Sequence, residues 1–359
     1  IPNKGFVNIK MTKEGKYGFE IQYFGKDRSF LGWTYKSDPA SKMVEMADFI
    51  VTDENLLLIQ VFKRKSLLSN NMDAYLLGID VATGKKKFEN KLADATHSFF
   101  LLNGLSDAKT GTYFLFGQHT ELGDNSFKDN SLGFCGLQVD ATGKIVKTSK
   151  VTWAGDVSKF LPVNYKGKIE EIGYVYFHKI IKLANGKVFA VGEQYNKTVS
   201  AGGVAVAALG GSAGLFQVTI KDMMIFQFSE DFKLEGVAVF EKGKSRVQLP
   251  QGAGINGPQI LANYVKAYGG FDYAYSQVPL DNITFTVFFQ DWEKEKGEKG
   301  RMTLKSIARS GDDYVTDKID LLTEATALNV MPAKPGYVLI MEYFRKLKTM
   351  ESRLEKFNQ

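Results

Sequence analysis

Cysteine is nearly missing from this chain: Cys135 is the single one in 359 residues, so no internal disulfide can form. That excludes a small disulfide-stapled fold and fits either the cytosol or a bacterial envelope compartment. No run of about 18 strongly apolar residues occurs, so no transmembrane segment is expected. Only 8 Pro stand beside 35 Gly, which excludes collagen-like and Pro-rich low-complexity chains. Histidine is scarce too. His97, His119 and His178 sit in separate contexts, and no H-x-x-x-H or C-x-x-C spacing offers a zinc ligand pair. Charge of one sign is in small excess: 46 Lys plus Arg against 40 Asp plus Glu gives +6. The triplets Lys63-Arg64-Lys65 and Lys85-Lys86-Lys87 are scattered rather than gathered on one stripe, so no nucleic-acid partner is expected.

What the chain has is apolar, aromatic and repetitive. With 44% hydrophobic residues, 27 Phe and 16 Tyr, it can bury a large core and favours many short strands. One pattern recurs six times: a Gly or Asn turn, an apolar run, then an aromatic or polar end. The copies are GKYGFEIQYFGK from Gly15, NLLLIQVFKRK from Asn55, GTYFLFGQHTE from Gly111, GKVFAVGEQYN from Gly186, NITFTVFFQDW from Asn282 and GYVLIMEYFRK from Gly336. Hairpins follow most copies, two of them sharing Ala-Thr-Gly-Lys at Ala82–Lys85 and Ala141–Lys144, with Gly where a positive φ is needed. An apolar strand precedes most copies. Each unit therefore reads as four antiparallel strands, A to D, averaging about 60 residues. The expected fold is an all-β propeller of about six four-stranded blades in a single domain, 1–359. The blades run roughly over 4–46, 47–95, 96–155, 170–241, 258–322 and 324–359.

The expected A strands are VNIKM, FIVTD, FFLLNG, YFHKII, ILANYV and ALNVMP. The first unit reads as four strands, with Lys42 to Met46 as the fourth. The sixth reads as three: Thr326–Met331, Tyr337–Phe344 and Thr349–Phe357. The propeller is therefore expected to be an incomplete part of a larger one, its closing strand lying upstream. The chain opens at Ile1-Pro2-Asn3 rather than at Met, consistent with a removed leader or longer N-terminal part.

Three long stretches resemble a known family. These are TWAGDVSKFLPVNYKGKIEEIGYVYFHKIIKLANGKVFAVGEQY (from Thr152), VTIKDMMIFQFSEDFKLEGVAVFEKGKSRVQLPQGAG and YVKAYGGFDYAYSQ. They are similar to a family of secreted proteins from Bacteroidota without an assigned activity. The resemblance implies an envelope or extracellular location and a longer precursor. It implies no substrate and no functional residue.

Cys135, between Phe134 and Gly136, reads as a small core residue rather than a nucleophile. The loop Gly123 to Asn130 offers Asp124, Asn125, Asp129 and Asn130, but lacks the closing Glu of a calcium loop. Gly252 to Gly257 matches G-x-G-x-x-G, yet Pro250 and Pro258 mark an irregular loop instead of a strand–helix junction. Asp312 with Asp313, and Asp291 with Glu293, are acids near turns, and no facing pair can be assigned. No catalytic, cofactor or metal residue is expected.

The positional signal is stronger. In a propeller all B–C loops emerge on one face. Here they carry Lys26 and Arg28, then Lys63, Arg64 and Lys65, then the His119–Asn130 loop. Next come Tyr195 and Lys197 with the uncharged insert Val199–Phe216 (Leu209, Leu215 and Phe216 within it), then Trp292, then Arg345 and Lys346. Cations and aromatics on one rim are common interface anchors. The expected function is a non-enzymatic binding or scaffold protein of a Gram-negative cell envelope, periplasmic, outer-membrane-associated or secreted. It would dock a protein partner, such as an outer-membrane export or uptake complex, through that face. The alternative is a propeller-fold carbohydrate-binding protein or glycan-active enzyme, which would need two or more carboxylates converging in the channel.

Overall fold

The computed structural model describes residues 1–14, 16–26, 31–38, 40–66, 72–107, 110–124, 131–165, 168–169, 173–208, 214–249, 258–293, 300–321 and 325–357. Among these, strands dominate and every pairing is antiparallel, in six sheets of three to five strands in chain order. The chain divides into two compact units, Ile1–Lys168 with Asp231–Lys233, and Ile169–Glu230 with Leu234–Gln359.

The first unit holds three sheets. Sheet one is β1 (Gly5–Glu14), β2 (Lys16–Gly25) and β3 (Leu31–Lys36). Sheet two is β4 (Val44–Thr52), β5 (Leu56–Arg64), β6 (Met72–Asp80) and β7 (Lys86–Lys91). Sheet three is β8 (His97–Asp107), β9 (Thr112–Glu121), β10 (Gly133–Val139) and β11 (Ile145–Thr152). β5 shows why the second strand of each repeat is a continuous apolar run. Successive side chains point to opposite faces. Leu57, Ile59 and Val61 pack with Phe19 and Ile21 of sheet one, while Leu56 and Leu58 pack with Phe99, Leu115 and Leu137 of sheet three. A strand buried on both faces has no polar side to alternate with.

The hairpin turns behave as their sequence suggests. Gly84 and Gly143 have φ of 68° and 77°, where a side chain would be strained. Asp80 Oδ1 accepts the Thr83 N–H at 2.9 Å, and Asp140 Oδ1 accepts the Thr142 N–H at 2.9 Å. Lys42 to Met46 does not form a fourth strand of sheet one. Val44 and Met46 pair with Arg64 and Phe62 as the entry into β4, because no turn residue separates them from the apolar run to Thr52. Sheet one has three strands, and β1 pairs with β2 from Gly5–Gly25 to Glu14–Lys16.

The second unit also holds three sheets. Sheet four is β12 (Tyr174–Lys182), β13 (Val188–Val199), β14 (Phe216–Phe228) and β15 (Leu234–Phe240), with β16 (Ser245–Gln248) also on β14. The thirteen-residue β14 is long enough to serve both: β15 pairs its second half and β16 its first. Sheet five is β17 (Tyr273–Gln277), β18 (Thr286–Glu293), β19 (Arg301–Ser310) and β20 (Asp313–Asp320). Sheet six is β21 (Ala327–Pro332), β22 (Tyr337–Phe344) and β23 (Thr349–Lys356). Val287 and Phe289 of β18 pack on sheet four, and Phe288 packs on sheet six.

Among the described residues two α-helices, besides a short 3₁₀ turn at Val157–Lys159, interrupt the strand pattern. α1 (Ala201–Ala208) lies in the uncharged insert between β13 and β14. α2 (Pro258–Ala267) occupies the stretch ILANYV that was expected as a strand. Leu261, Ala262 and Val265 are buried and Asn263, Tyr264 and Lys266 exposed, a helical rather than a two-residue period. Pro258 suits the first helical position, where its missing N–H costs nothing. The first strand of sheet five is β17 instead.

Candidate functional site

The residues expected at the B–C turns differ widely in exposure. In the first unit, Lys26 and Lys65 are exposed. Lys63 is not a free contact: its Nζ lies 2.5 Å from Glu89 Oε1 and 3.4 Å from Glu45 Oε1, and 5.2 Å from the centroid of the Tyr75 ring. Arg64 is half-buried. Arg28 lies outside the described residues, as do Asn125, Asp129 and Asn130 of the third turn and the whole stretch Gly252–Gly257.

In the second unit, Tyr195 is buried against Val218, Ile220 and Val265, so it belongs to the core and not to the surface. Its burial pushes the phenol pKa up, aided by Tyr174 and Tyr176. Lys197 is exposed with its ammonium 5.1 Å from the Phe216 ring centroid, and Phe216 itself is half-buried. Leu215 is exposed, and Leu209 lies outside the described residues. Trp292 is 49% exposed, its indole lying against the Gly300 backbone. Arg345 and Lys346 are exposed beside Leu347.

Titratable groups meet inside both units. In the first, the rings of His97 and His119 lie 5.3 Å apart at 66°, although their sequence contexts are unrelated. Lys150 Nζ is 2.8 Å from His97 Nδ1 and donates to Asp94 Oδ2 at 2.8 Å. His119 is fully enclosed. Burial, with the nearby His97 and Lys150, lowers its pKa to about 4. Asp94 is held well below the ordinary carboxyl range: burial opposes this, but Lys150 and the Thr96 and His97 N–H groups outweigh it. Cys135 is a buried core residue, and burial pushes its thiol pKa up.

In the second unit, Glu193 of β13 has no exposed surface. Its carboxylate accepts the Asp272 N–H at 3.3 Å and the Tyr273 N–H at 3.0 Å. His178 Nε2 lies 3.0 Å away, and His178 stacks on Tyr273 with ring centroids 4.5 Å apart. Lys242, whose side chain is completely enclosed, bridges Glu193 at 3.5 Å and Asp272. Burial raises the Glu193 pKa, but His178, Lys242 and the Tyr273 N–H hold it below the ordinary value. Burial and the neighbouring Glu193 push Asp272 up. Nearby, Asp291 accepts the Gly243 N–H at 2.7 Å and pairs with Lys305 at 2.6 Å, which also holds Glu293 at 2.8 Å.

The His97–His119–Lys150 group lies within sheet three, whereas the Glu193 group ties sheet four to sheet five. Glu193 fixes the backbone entering β17, as Gln60 of β5 does for β8: it donates to Leu101 O at 3.0 Å and accepts the Leu101 N–H at 2.6 Å. Sequence reasoning named Asp291 with Glu293 only as acids near a turn and missed the other groups. The available signal was the polar residue that interrupts each apolar B strand, in LIQVF, VGEQY and FFQDW. Among the described residues no group of three or more His, Cys, Asp or Glu is placed to hold a metal ion.

The profile of a family of unknown function, DUF6770, matches residues 1–358. The chain belongs to this family. DUF6770 thus covers both units, turns and buried clusters alike. No curated protein matches the chain. Among solved structures, it is similar to the β-propeller domain of the Trilobed protease from Pyrococcus furiosus, which has an open velcro topology. That likeness covers 99% of this chain and 81% of that one at 8% identity, with a TM-score of 0.37. A mutant levansucrase from B. megaterium is similar over 86% of this chain and 80% of that one, at 11% identity and a TM-score of 0.34. The WD40 domain of SCAP from fission yeast is similar over 93% and 79%, at 8% identity and a TM-score of 0.28. Scores this low carry over neither an arrangement of sheets nor a residue.

Proposed function

We propose that the six sheets are blades of a β-propeller and that the chain is a non-enzymatic docking module of a bacterial cell envelope. In this reading it is periplasmic or outer-membrane-associated, and binds a protein partner through its B–C turns. The observation that carries the reading is exposure at those turns. Lys26, Lys65, Leu215, Arg345 and Lys346, with Lys197 and Trp292 at the ends of β13 and β18, are exposed, while the B strands that lead to them carry buried core residues. Long cationic and aromatic side chains on a rigid scaffold suit docking.

Catalysis is the weaker reading. A glycosidase needs two carboxyl groups flanking an open cleft. Among the described residues, Glu45 with Glu89, Glu193 with Asp272 and Asp291 with Glu293 converge, and each pair is bridged by a lysine. A carbohydrate-binding role keeps one supporting observation, the half-exposed Trp292 indole.

Photo-crosslinking from single positions tests the docking reading. A crosslinker at Trp292, Arg345 or Lys65 should capture one and the same envelope protein, and one at Lys87 on the edge strand β7 should not. Equal capture from all four positions, or none from any, would overturn it. Glycan-array binding lost in Trp292→Ala would favour the carbohydrate reading instead.

A further inference from the structure

The uncharged insert belongs to a lobe of the second unit with its own small core. The end of β13, the start of β14, β16 and α2 are held together by Tyr195, Val218, Ile220, Leu249, Leu261 and Val265. α1 is fastened to the same end. Ser200 Oγ accepts the Gly203 N–H at 3.0 Å, capping the helix, and donates to Gln248 Oε1 of β16 at 3.0 Å.

The lobe combines two surface properties. The first is charge of one sign. Residues 194–221 and 244–271 contain Lys197, Lys221, Lys244, Arg246 and Lys266 and no Asp or Glu, so they supply five of the chain's net +6. Lys197, Lys244, Arg246 and Lys266 are exposed and Lys221 is half-buried. The second is apolar exposure where the core would predict none. Val199 is 62% exposed, Val204 47%, Val206 41% and Leu215 46%, at α1 and the strand ends beside it. Tyr264 and Tyr268 of α2 are exposed as well. A helix whose apolar side chains face water is an interaction surface or a liability.

From this we infer that the lobe binds the surface of an anionic phospholipid bilayer, α1 entering the headgroup layer and the surrounding cations meeting lipid phosphates. The inference rests on the docking reading in one respect: it gives the insert-bearing turn a lipid to contact while the other turns contact protein. Charge complementarity selects the bilayer. Four exposed cations beside an apolar tip match an interface that is anionic at the headgroups and apolar just beneath. Among the described residues no helix is long and apolar enough to cross a membrane, so the contact through α1 is peripheral.

The test uses the full chain with sedimented vesicles of phosphatidylcholine alone and of phosphatidylcholine with about one-third phosphatidylglycerol. Binding is expected only to the anionic vesicles, weakening at least tenfold as salt rises from low to about 0.5 M. Arg246→Glu with Lys266→Glu should weaken it by at least tenfold, each basic residue near such a surface counting for about fivefold. Val204→Asp with Val206→Asp should abolish it. Both pairs are exposed and should leave thermal unfolding unchanged, which separates lost binding from lost fold. Equal binding to both vesicle types, no binding to either, or full binding by the Asp pair would overturn the inference. A protein crosslinked from Trp292 and Arg345 while vesicles fail to bind leaves the docking reading standing and sinks the lipid contact alone.

Discussion

Gln60 in the first unit and Glu193 in the second hold the same position in the architecture. Each sits in the second strand of a sheet and grips the backbone of the first strand of the next. Their chemistry differs. The amide of Gln60 supplies one donor and one acceptor to the Leu101 peptide group and is satisfied without any charge. Glu193 accepts two N–H groups, and its charge must be matched inside the protein, which Lys242 does, with His178 Nε2 3.0 Å away. A neutral clamp needs one partner; an ionic one needs a network recruited from residues 178, 242 and 272. At the Glu193 clamp, unlike the Gln60 one, a single substitution can therefore strand a charge.

The largest effect should come from breaking that network. Lys242→Met leaves Glu193 and Asp272 buried together without their cation, and should cost about 3–5 kcal/mol. Hydrogen exchange should show the loss at amides of β13 and β17 and leave β5 and β8 unchanged. An effect spread evenly over both units would erase the contrast.

Acid should separate the units in the opposite order. Burial, His97 and Lys150 keep His119 neutral with a pKa of about 4 in the fold, against 6.5 when unfolded. Between those values the folded state binds fewer protons. The stability of the first unit is therefore full above pH 6.5 and falls by about 2–3 kcal/mol as pH drops towards 4. His119→Gln should flatten this profile in unfolding measured across pH 7 to 4. In the second unit, Glu193 supplies stability that is present above 4.5 and lost only on further acidification. Asp272, raised above 3.8, works in the other direction, gaining stability as pH falls through its folded value. The second unit should therefore hold where the first has begun to weaken.

Gln60→Ala sharpens the comparison from the neutral side. It leaves the Leu101 N–H and C=O unsatisfied inside the first unit, for about 1–3 kcal/mol, independent of pH from 4 to 8. Smallest of all, Arg345→Ala at an exposed turn should change unfolding by less than about 0.5 kcal/mol, whatever it does to partner capture.

Much of the architecture was legible because its signals are local. The Asp80–Gly84 and Asp140–Gly143 turns, the doubly buried B strands and the break at Val199–Phe216 all follow from residues a few positions apart. Two local readings failed where patterns are ambiguous. ILANYV satisfies both periods over six residues, and burial of Leu261, Ala262 and Val265 against sheet four settles it as helix. Lys42–Met46 is strand, as read, but its partner is β5 and not a strand of sheet one.

The candidate surface was half legible. Arg345 and Lys346 at a turn, and Lys197 and Trp292 at the ends of β13 and β18, are exposed, whereas Tyr195, two positions before Lys197 on the same face of β13, is enclosed by Val218, Ile220 and Val265. By itself, then, the sequence determined strands, turns and the uncharged insert, since backbone preference and apolar period act over a few residues. Only the tertiary structure decided which polar groups are buried together. Residues 178, 193, 242 and 272 share one site through sheet packing, and no spacing along the chain encodes that meeting.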